Sequence, residues 1–269
     1  MLGAIVGDIA GSIYEFNNYR SKDFELLSPM CYFTDDTVMT IAVFRALLKS
    51  KPKGYKNLKE NVIKEMQSYG KLYPDAGYGL RFREWIYDKK ALPYNSFGNG
   101  AAMRVSAVAY FANSLEEVKQ LSKIVTEVSH NHSEGLKGAE ATAVAIYLAL
   151  HNCSKEEIKQ YIEENYYSLD FDYKELQDFY YFNETCQGTV PQAIYCFLIS
   201  DSFTDCIRTS ISIGGDSDTL SAISCAIAEA HYGVPDYIKE KALNFLDKRL
   251  LKDYSDFYKF FEEEFIINK

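Results

Sequence analysis

An all-α fold is expected for this 269-residue chain. Apolar residues recur at three- and four-residue intervals through most of its length, alternating strand-like runs are nearly absent, and the stop signals are those of helices. Gly54, Gly70 and Gly233 followed by Pro235 are such stops. No Gly/Ser tract, charge block or repeat of about 20–50 residues divides the chain. Residues 1–269 are therefore read as a single domain, one compact multi-helix bundle.

In chain order, "MLGAIVGDIAGSIYEF" has no basic leader, Asp8 interrupts its apolar run, and Gly7-Asp8 with Gly11 reads as a turn pattern ahead of Glu15. Helical periodicity then covers Val38–Leu48, Leu58–Tyr69, Ala101–Phe111, Leu115–Val128, Gly135–Leu150 and Glu156–Tyr166. It resumes over Val190–Leu198, Leu220–Tyr232 and Tyr237–Phe261, with Thr189 near a cap and Pro191 in a first turn. "GAEATAVAIYLAL" and "LSAISCAIAEA" are small and apolar on most sides, so these two helices belong at the centre. The tyrosine-dense stretch 165–183 reads as a peripheral helix with rings inward and hydroxyls wet, adenine stacking being the alternative.

Composition narrows the function classes. Apolar residues make up 47% and aromatics 15%, which fits a folded globular protein and excludes disorder. A net charge of −9 without a basic stripe argues against bulk nucleic acid as partner. Six scattered cysteines with no C-x-x-C pair suit a reducing, cytoplasmic setting. No run reaches the roughly 18 apolar residues of a membrane span, and no targeting signal is legible.

Two acidic helix mouths stand out. Thr34-Asp35-Asp36-Thr37 opens one core helix, and Gly214-Gly215-Asp216-Ser217-Asp218-Thr219 opens another. Each alone reads as a capped helix start, with glycines permitting the tight second turn. Together they place two carboxylates and threonine hydroxyls before each of two buried helices. Four buried carboxylates that converged would repel unless cations lay between them. The hard oxygen set selects Mg²⁺, or Mn²⁺, over zinc, and could hold two ions about 3.5–4 Å apart.

These motifs, with "SFGNGAAMRVSAVA", "SHNHSEGLKGAEA" and "GTVPQAIYCFL", occur in an order spanning Gly3 to Gly233 that resembles the ADP-ribosylglycohydrolase family. The resemblance implies an all-α fold around a binuclear metal cleft holding the terminal ribose of ADP-ribose. It makes Thr34, Asp35, Asp36, Asp216, Asp218 and Thr219 the metal ligands. Glu15 and Asp36 become the catalytic candidates, and Ser96, Phe97, Gly98, Asn99, Gly100 and His130 the substrate contacts. His132 would stand behind them. Arg104 is left as either a phosphate ligand or an ion-pair partner within its helix.

The resemblance thus implies hydrolysis of the bond between ADP-ribose and an acceptor, in a protein side chain or small conjugate, by what is taken to be a monomer. A carboxylate such as Glu15 near a dication suits proton exchange with water or leaving group. A non-catalytic ADP-ribose-binding protein is one alternative. An all-α Mg-dependent diphosphate enzyme is another, but it expects a D-D-x-x-D run where Asp36 is followed by Thr37, Val38 and Met39. The motifs do not choose among arginine, serine, base, poly(ADP-ribose) or O-acyl acceptors.

Overall fold

The structure, a computed structural model describing residues 1–263, is built of α-helices with no strand among those residues. In order they are α1 (Leu2–Gly11), α2 (Asp35–Ser50), α3 (Leu58–Leu72), α4 (Leu80–Tyr87), α5 (Gly100–Met103), α6 (Val108–Phe111), α7 (Leu115–Thr126) and α8 (Ser133–Leu150). Then come α9 (Lys155–Asn165), α10 (Tyr173–Phe179), α11 (Cys186–Ile199), α12 (Phe203–Ser212), α13 (Ser217–Tyr232), α14 (Asp236–Leu243) and α15 (Lys248–Phe261). The all-helical expectation holds.

The opening stretch is a helix rather than the turn that Gly7-Asp8 and Gly11 suggested. Gly3, Gly7 and Gly11 fall four apart, on one face of α1. They meet Cys225, Ser221 and Ser217 of α13, also four apart and in reverse order, so the two helices run antiparallel with their backbones touching. A Cβ on Gly7 would stand 2.1 Å from the Ser221 carbonyl oxygen, one on Gly3 2.1 Å from that of Cys225, and one on Gly11 2.4 Å from that of Ser217. These glycines are required by close approach, not by backbone freedom.

α8 and α13 occupy the centre, as their composition indicates; residues 217–228 of α13 are all buried. Apolar faces of α2, α11 and α12 pack round them. Three expected boundaries move. The window Ala101–Phe111 breaks between α5 and α6, where Arg104 turns its guanidinium into the core and Nη2 donates to Ser129 Oγ at 2.9 Å. Tyr237–Phe261 divides at Asp247, whose carboxylate accepts from the Arg249 and Leu250 N–H groups and caps α15. α11 starts at Cys186, capped by Thr185, so Pro191 is its sixth residue rather than in its first turn.

The tyrosine-dense stretch forms the short α10 and an extended tail. Tyr166, Tyr167, Tyr173 and Tyr180 turn inward as expected, Phe179 and Tyr181 stay exposed, and three hydroxyls are bonded to protein rather than wet. Tyr173 bonds Ser212 Oγ at 2.7 Å, Tyr166 donates to Glu140 at 2.8 Å, and Tyr180 donates to the Gly188 carbonyl at 2.7 Å. Among the described residues all six cysteines are unpaired, and no helix is long and apolar enough to cross a membrane.

Candidate active site

The two acidic mouths meet. Thr219 Oγ1, on the first turn of α13, donates to Asp36 Oδ2 of α2 at 3.3 Å. Behind the first mouth stands Asp8 of α1, fully buried. Its carboxylate accepts from the Thr34 N–H at 3.0 Å, the Thr34 hydroxyl at 2.7 Å and the Thr37 N–H at 3.0 Å. Thr34 Oγ1 in turn accepts from the Asp36 N–H at 3.3 Å, so it caps α2. With that duty met by Thr34, the Asp35 and Asp36 side chains face the cleft. Asp36 Oδ1 is buried without any hydrogen-bond partner.

The second mouth, unlike the first, has no side-chain cap. Gly214 and Gly215 take φ of 73° and 75°, the left-handed region that favours glycine. The turn they make leaves Asp216 at the cap position of α13 without a side-chain capping bond. Its Oδ2 instead accepts from Asn99 Nδ2 at 2.6 Å, and the same amide donates to Thr189 Oγ1 at 3.1 Å. Glu15, Asp216 and Asp218 each offer an oxygen within 4.8 Å of the others. These acids, with Asp35, Asp36 and Thr219, line one end of a cleft of about 330 Å³.

Crowding of this kind has an electrostatic signature. Burial, then the charges of Asp218 and Asp8, push the Asp35 and Asp36 carboxyls well above the usual range. Burial and Asp216 do the same to Asp218. Asp216 is pushed up to about 6 by burial, the Asn99 bond opposing. Glu15 rises to about 8 through burial, then Asp218, Asp8 and Glu184. Such a group sheds its protons together only beside positive charge. The oxygen-only donors and the orphaned Asp36 Oδ1 both fit divalent cations of the Mg²⁺ class.

The other end of the cleft is neutral to basic. Arg104 Nη2 donates to Ser129 Oγ, whose hydroxyl lies 2.8 Å from His130 Nδ1. His130 Nε2 points at Gly98 and Gly100, 3.5 Å from where their Cβ atoms would be. Burial, then the Arg104 charge, hold His130 neutral, well below the usual imidazole range. Arg104 itself makes no ion pair among the described residues, so the helix ion-pair alternative falls. Its Nε is buried and unpartnered. Tyr94, Arg81 and Phe82 complete this end.

Of the residues singled out in the sequence, Glu15, Asp35, Asp36, Ser96, Gly98, Asn99, Gly100, His130, Asp216, Asp218 and Thr219 line this one cleft. Thr34 lies behind it on Asp8. Phe97 faces outward, its ring 5.1 Å from His132, which caps α8 through Nδ1. The loop N–H groups of Gly98 and Asn99 are already taken, by Ser96 Oγ at 3.2 Å and the Glu184 carbonyl at 2.7 Å. Sequence reasoning missed Asp8 as the clamp on Thr34, and Phe182 and Glu184 as cleft wall. An acid inside an apolar run was the visible signal for Asp8; nothing local marks the other two.

Residues 1–264 match the family model described as ADP-ribosylglycohydrolase. The chain is 28% identical to mouse ADP-ribosylhydrolase ARH3, covering 87% of this chain and 83% of that protein. It is 24% identical to the ADP-ribosyl-[dinitrogen reductase] glycohydrolase of Rhodospirillum rubrum, covering 87% and 85%. In three dimensions it resembles a chain titled ADP-ribosylglycohydrolase-related protein complex, with a TM-score of 0.65 at 20% identity over 94% of this chain and 93% of that one.

Proposed function

The chain belongs to the ADP-ribosylglycohydrolase family, and from that premise we propose that it hydrolyses the glycosidic bond between ADP-ribose and an acceptor, in an ADP-ribosylated protein or small conjugate. One observation carries the reading: five acids from three remote segments crowd one end of one cleft, with a buried Asp36 oxygen left without a partner. Asp35, Asp36, Asp216, Asp218 and Thr219, with Thr34 behind them, would hold two Mg²⁺ ions, or Mn²⁺. When bound, the ions supply positive charge that grips the ribose hydroxyls and polarises the anomeric centre.

The chain's own residues do the rest. Glu15, half-buried and beside Asp216 and Asp218, is placed to orient a water and to exchange a proton with it or with the leaving group. Asn99 fixes the Asp216 carboxylate by its 2.6 Å bond. His130 presents its Nε2 beside Ser96, Gly98 and Gly100, at the end where the rest of ADP-ribose would lie. Asp36 belongs to both the metal set and the reacting end. Six unpaired cysteines suit the cytoplasm as the working compartment.

The test is release of ADP-ribose from a panel of defined conjugates, by wild type and Glu15→Ala, with and without EDTA. The expected result is turnover of at least one conjugate, abolished by EDTA and lowered about 10²- to 10⁴-fold by the substitution. Equal rates for the two proteins would end the Glu15 assignment, and turnover indifferent to EDTA would end the metal set.

A further inference from the structure

We propose that Arg20 is the positioning residue that sets Glu15 against the Asp216 turn, an inference that rests on the function proposed above. The Glu15 carboxylate has no hydrogen bond or ion pair of its own among the described residues, although its electrostatic neighbours are acids. Its position therefore follows from its backbone. That backbone is a short loop after α1, with turns closed by Tyr14 N–H to the Gly11 carbonyl at 2.8 Å and Asn17 N–H to the Tyr14 carbonyl at 3.0 Å.

Beyond Glu15 the loop is tied twice to the second acidic mouth. Asn18, left-handed at φ 42°, accepts the Gly215 N–H on Oδ1 at 3.0 Å. Arg20 then spreads its guanidinium over two helix ends. Nη1 donates to the Ile213 carbonyl at 2.9 Å, at the C-terminus of α12, and to the Leu176 carbonyl at 3.1 Å and that of Gln177, in the last turn of α10. Nη2 donates to the Tyr180 carbonyl, where α10 ends.

The physical logic is that helix C-termini leave carbonyls without intrahelical partners and carry partial negative charge. One planar guanidinium with several fixed donors reaches four carbonyls, of which only that of Leu176 also has an intrahelical partner, and needs no carboxylate. Ile213 runs directly into Gly214, Gly215 and Asp216, so the ion joins three segments: the Glu15 loop, the turn bearing Asp216, and the tyrosine-dense stretch. The last is drawn over the cleft, where the Tyr180 ring lies against Gly215 and Phe182 stacks on Phe16 at 5.6 Å. The stretch read from the sequence as a peripheral helix thus gains a local role.

Arg208 supplies a matched comparison. Its Nη1 also donates to carbonyls of this loop, Phe24 at 2.9 Å and Lys22, further along the chain from Glu15. The experiment compares Arg20→Ala, Arg20→Lys and Arg208→Ala for kcat, ADP-ribose Kd, Tm and rescue by millimolar guanidinium. The expected result is a kcat lowered roughly 10- to 100-fold in Arg20→Ala with a smaller change in Kd, since misplacing one group by about 1 Å has that effect. Guanidinium should restore part of that kcat, and Arg20→Lys should fall between. Arg208→Ala should lower Tm and keep kcat. Wild-type kcat in Arg20→Ala, or a loss that guanidinium does not reverse, would overturn the proposal. Should wild type turn over no conjugate, the functional reading fails separately, and hydrogen exchange decides: faster exchange at 12–19 and 213–216 in Arg20→Ala than in Arg208→Ala supports the tether, equal exchange refutes it.

Discussion

Gly7→Ala probes whether the two helices that frame the acid cluster truly touch. The added Cβ would lie 2.1 Å from the Ser221 carbonyl oxygen, 2.3 Å from its carbon and 2.6 Å from the Ala222 nitrogen. Ordinary contact needs about 3.5 Å, so the approach is short by roughly 1.4 Å. All three neighbours are backbone, and no rotamer relieves the clash; the helix axes must part. Alanine returns about 1 kcal/mol of helix propensity, while overpacking costs about 1–3 kcal/mol or more, its upper end applying where backbone must move. The net loss is about 2 kcal/mol, or roughly 4–8 °C in Tm. Because Asp8 is the next residue and Ser221 lies one turn from Asp218, Mg²⁺ affinity should fall as well. Gly79, at φ −56° with nothing within 4 Å of its Cβ position, should take alanine without loss of Tm. Thermal melting by circular dichroism reads both. A Gly7→Ala protein melting at or above wild type would refute the backbone contact.

Three further outcomes follow from the acid cluster. Asp36→Asn should raise the Tm of EDTA-treated protein, relieving an unsatisfied buried carboxylate that costs about 1–3 kcal/mol, while removing the Tm gain on adding Mg²⁺; a lower metal-free Tm would contradict the repulsion argument. Asp8 rises from 3.8 to about 6 through burial, so the folded state holds its proton where the unfolded chain has lost it. Metal-free stability then falls as pH climbs from about 4 through 6, by at most about 3 kcal/mol for such a shift, and Asp216 shares that window. The difference in Tm between Mg²⁺ and EDTA samples should accordingly widen from pH 5 to 7, and a narrowing would reverse the sign assigned here. Asn99→Asp, nearly isosteric, puts an acceptor 2.6 Å from Asp216 Oδ2 and should lower kcat/KM about 10- to 100-fold; unchanged kinetics would remove Asn99 from the site.

Helix identity, the two central helices and the paired acidic mouths were legible from the chain itself, because each is a local pattern. Apolar spacing sets which face of a helix is buried, and Asp-Asp or Gly-Gly-Asp-Ser-Asp before such a helix states its chemistry in a few residues. Local pattern also misled. Gly7-Asp8 reads as a turn until the Ser221 backbone is seen where a Cβ on Gly7 would stand, and the 101–111 window reads as one helix until Arg104 is found turned into the core.

Whether a threonine caps a helix or faces a cleft depended on a partner 26 residues away, since Asp8 takes the Thr34 hydroxyl and leaves Asp35 and Asp36 free. The meeting of Asp36 with Thr219 across 183 positions, and of Arg20 with two helix ends, were likewise decided only by tertiary packing. Hydrogen bonds and Coulomb forces act over a few ångströms of space, and only the folded chain brings remote segments that close.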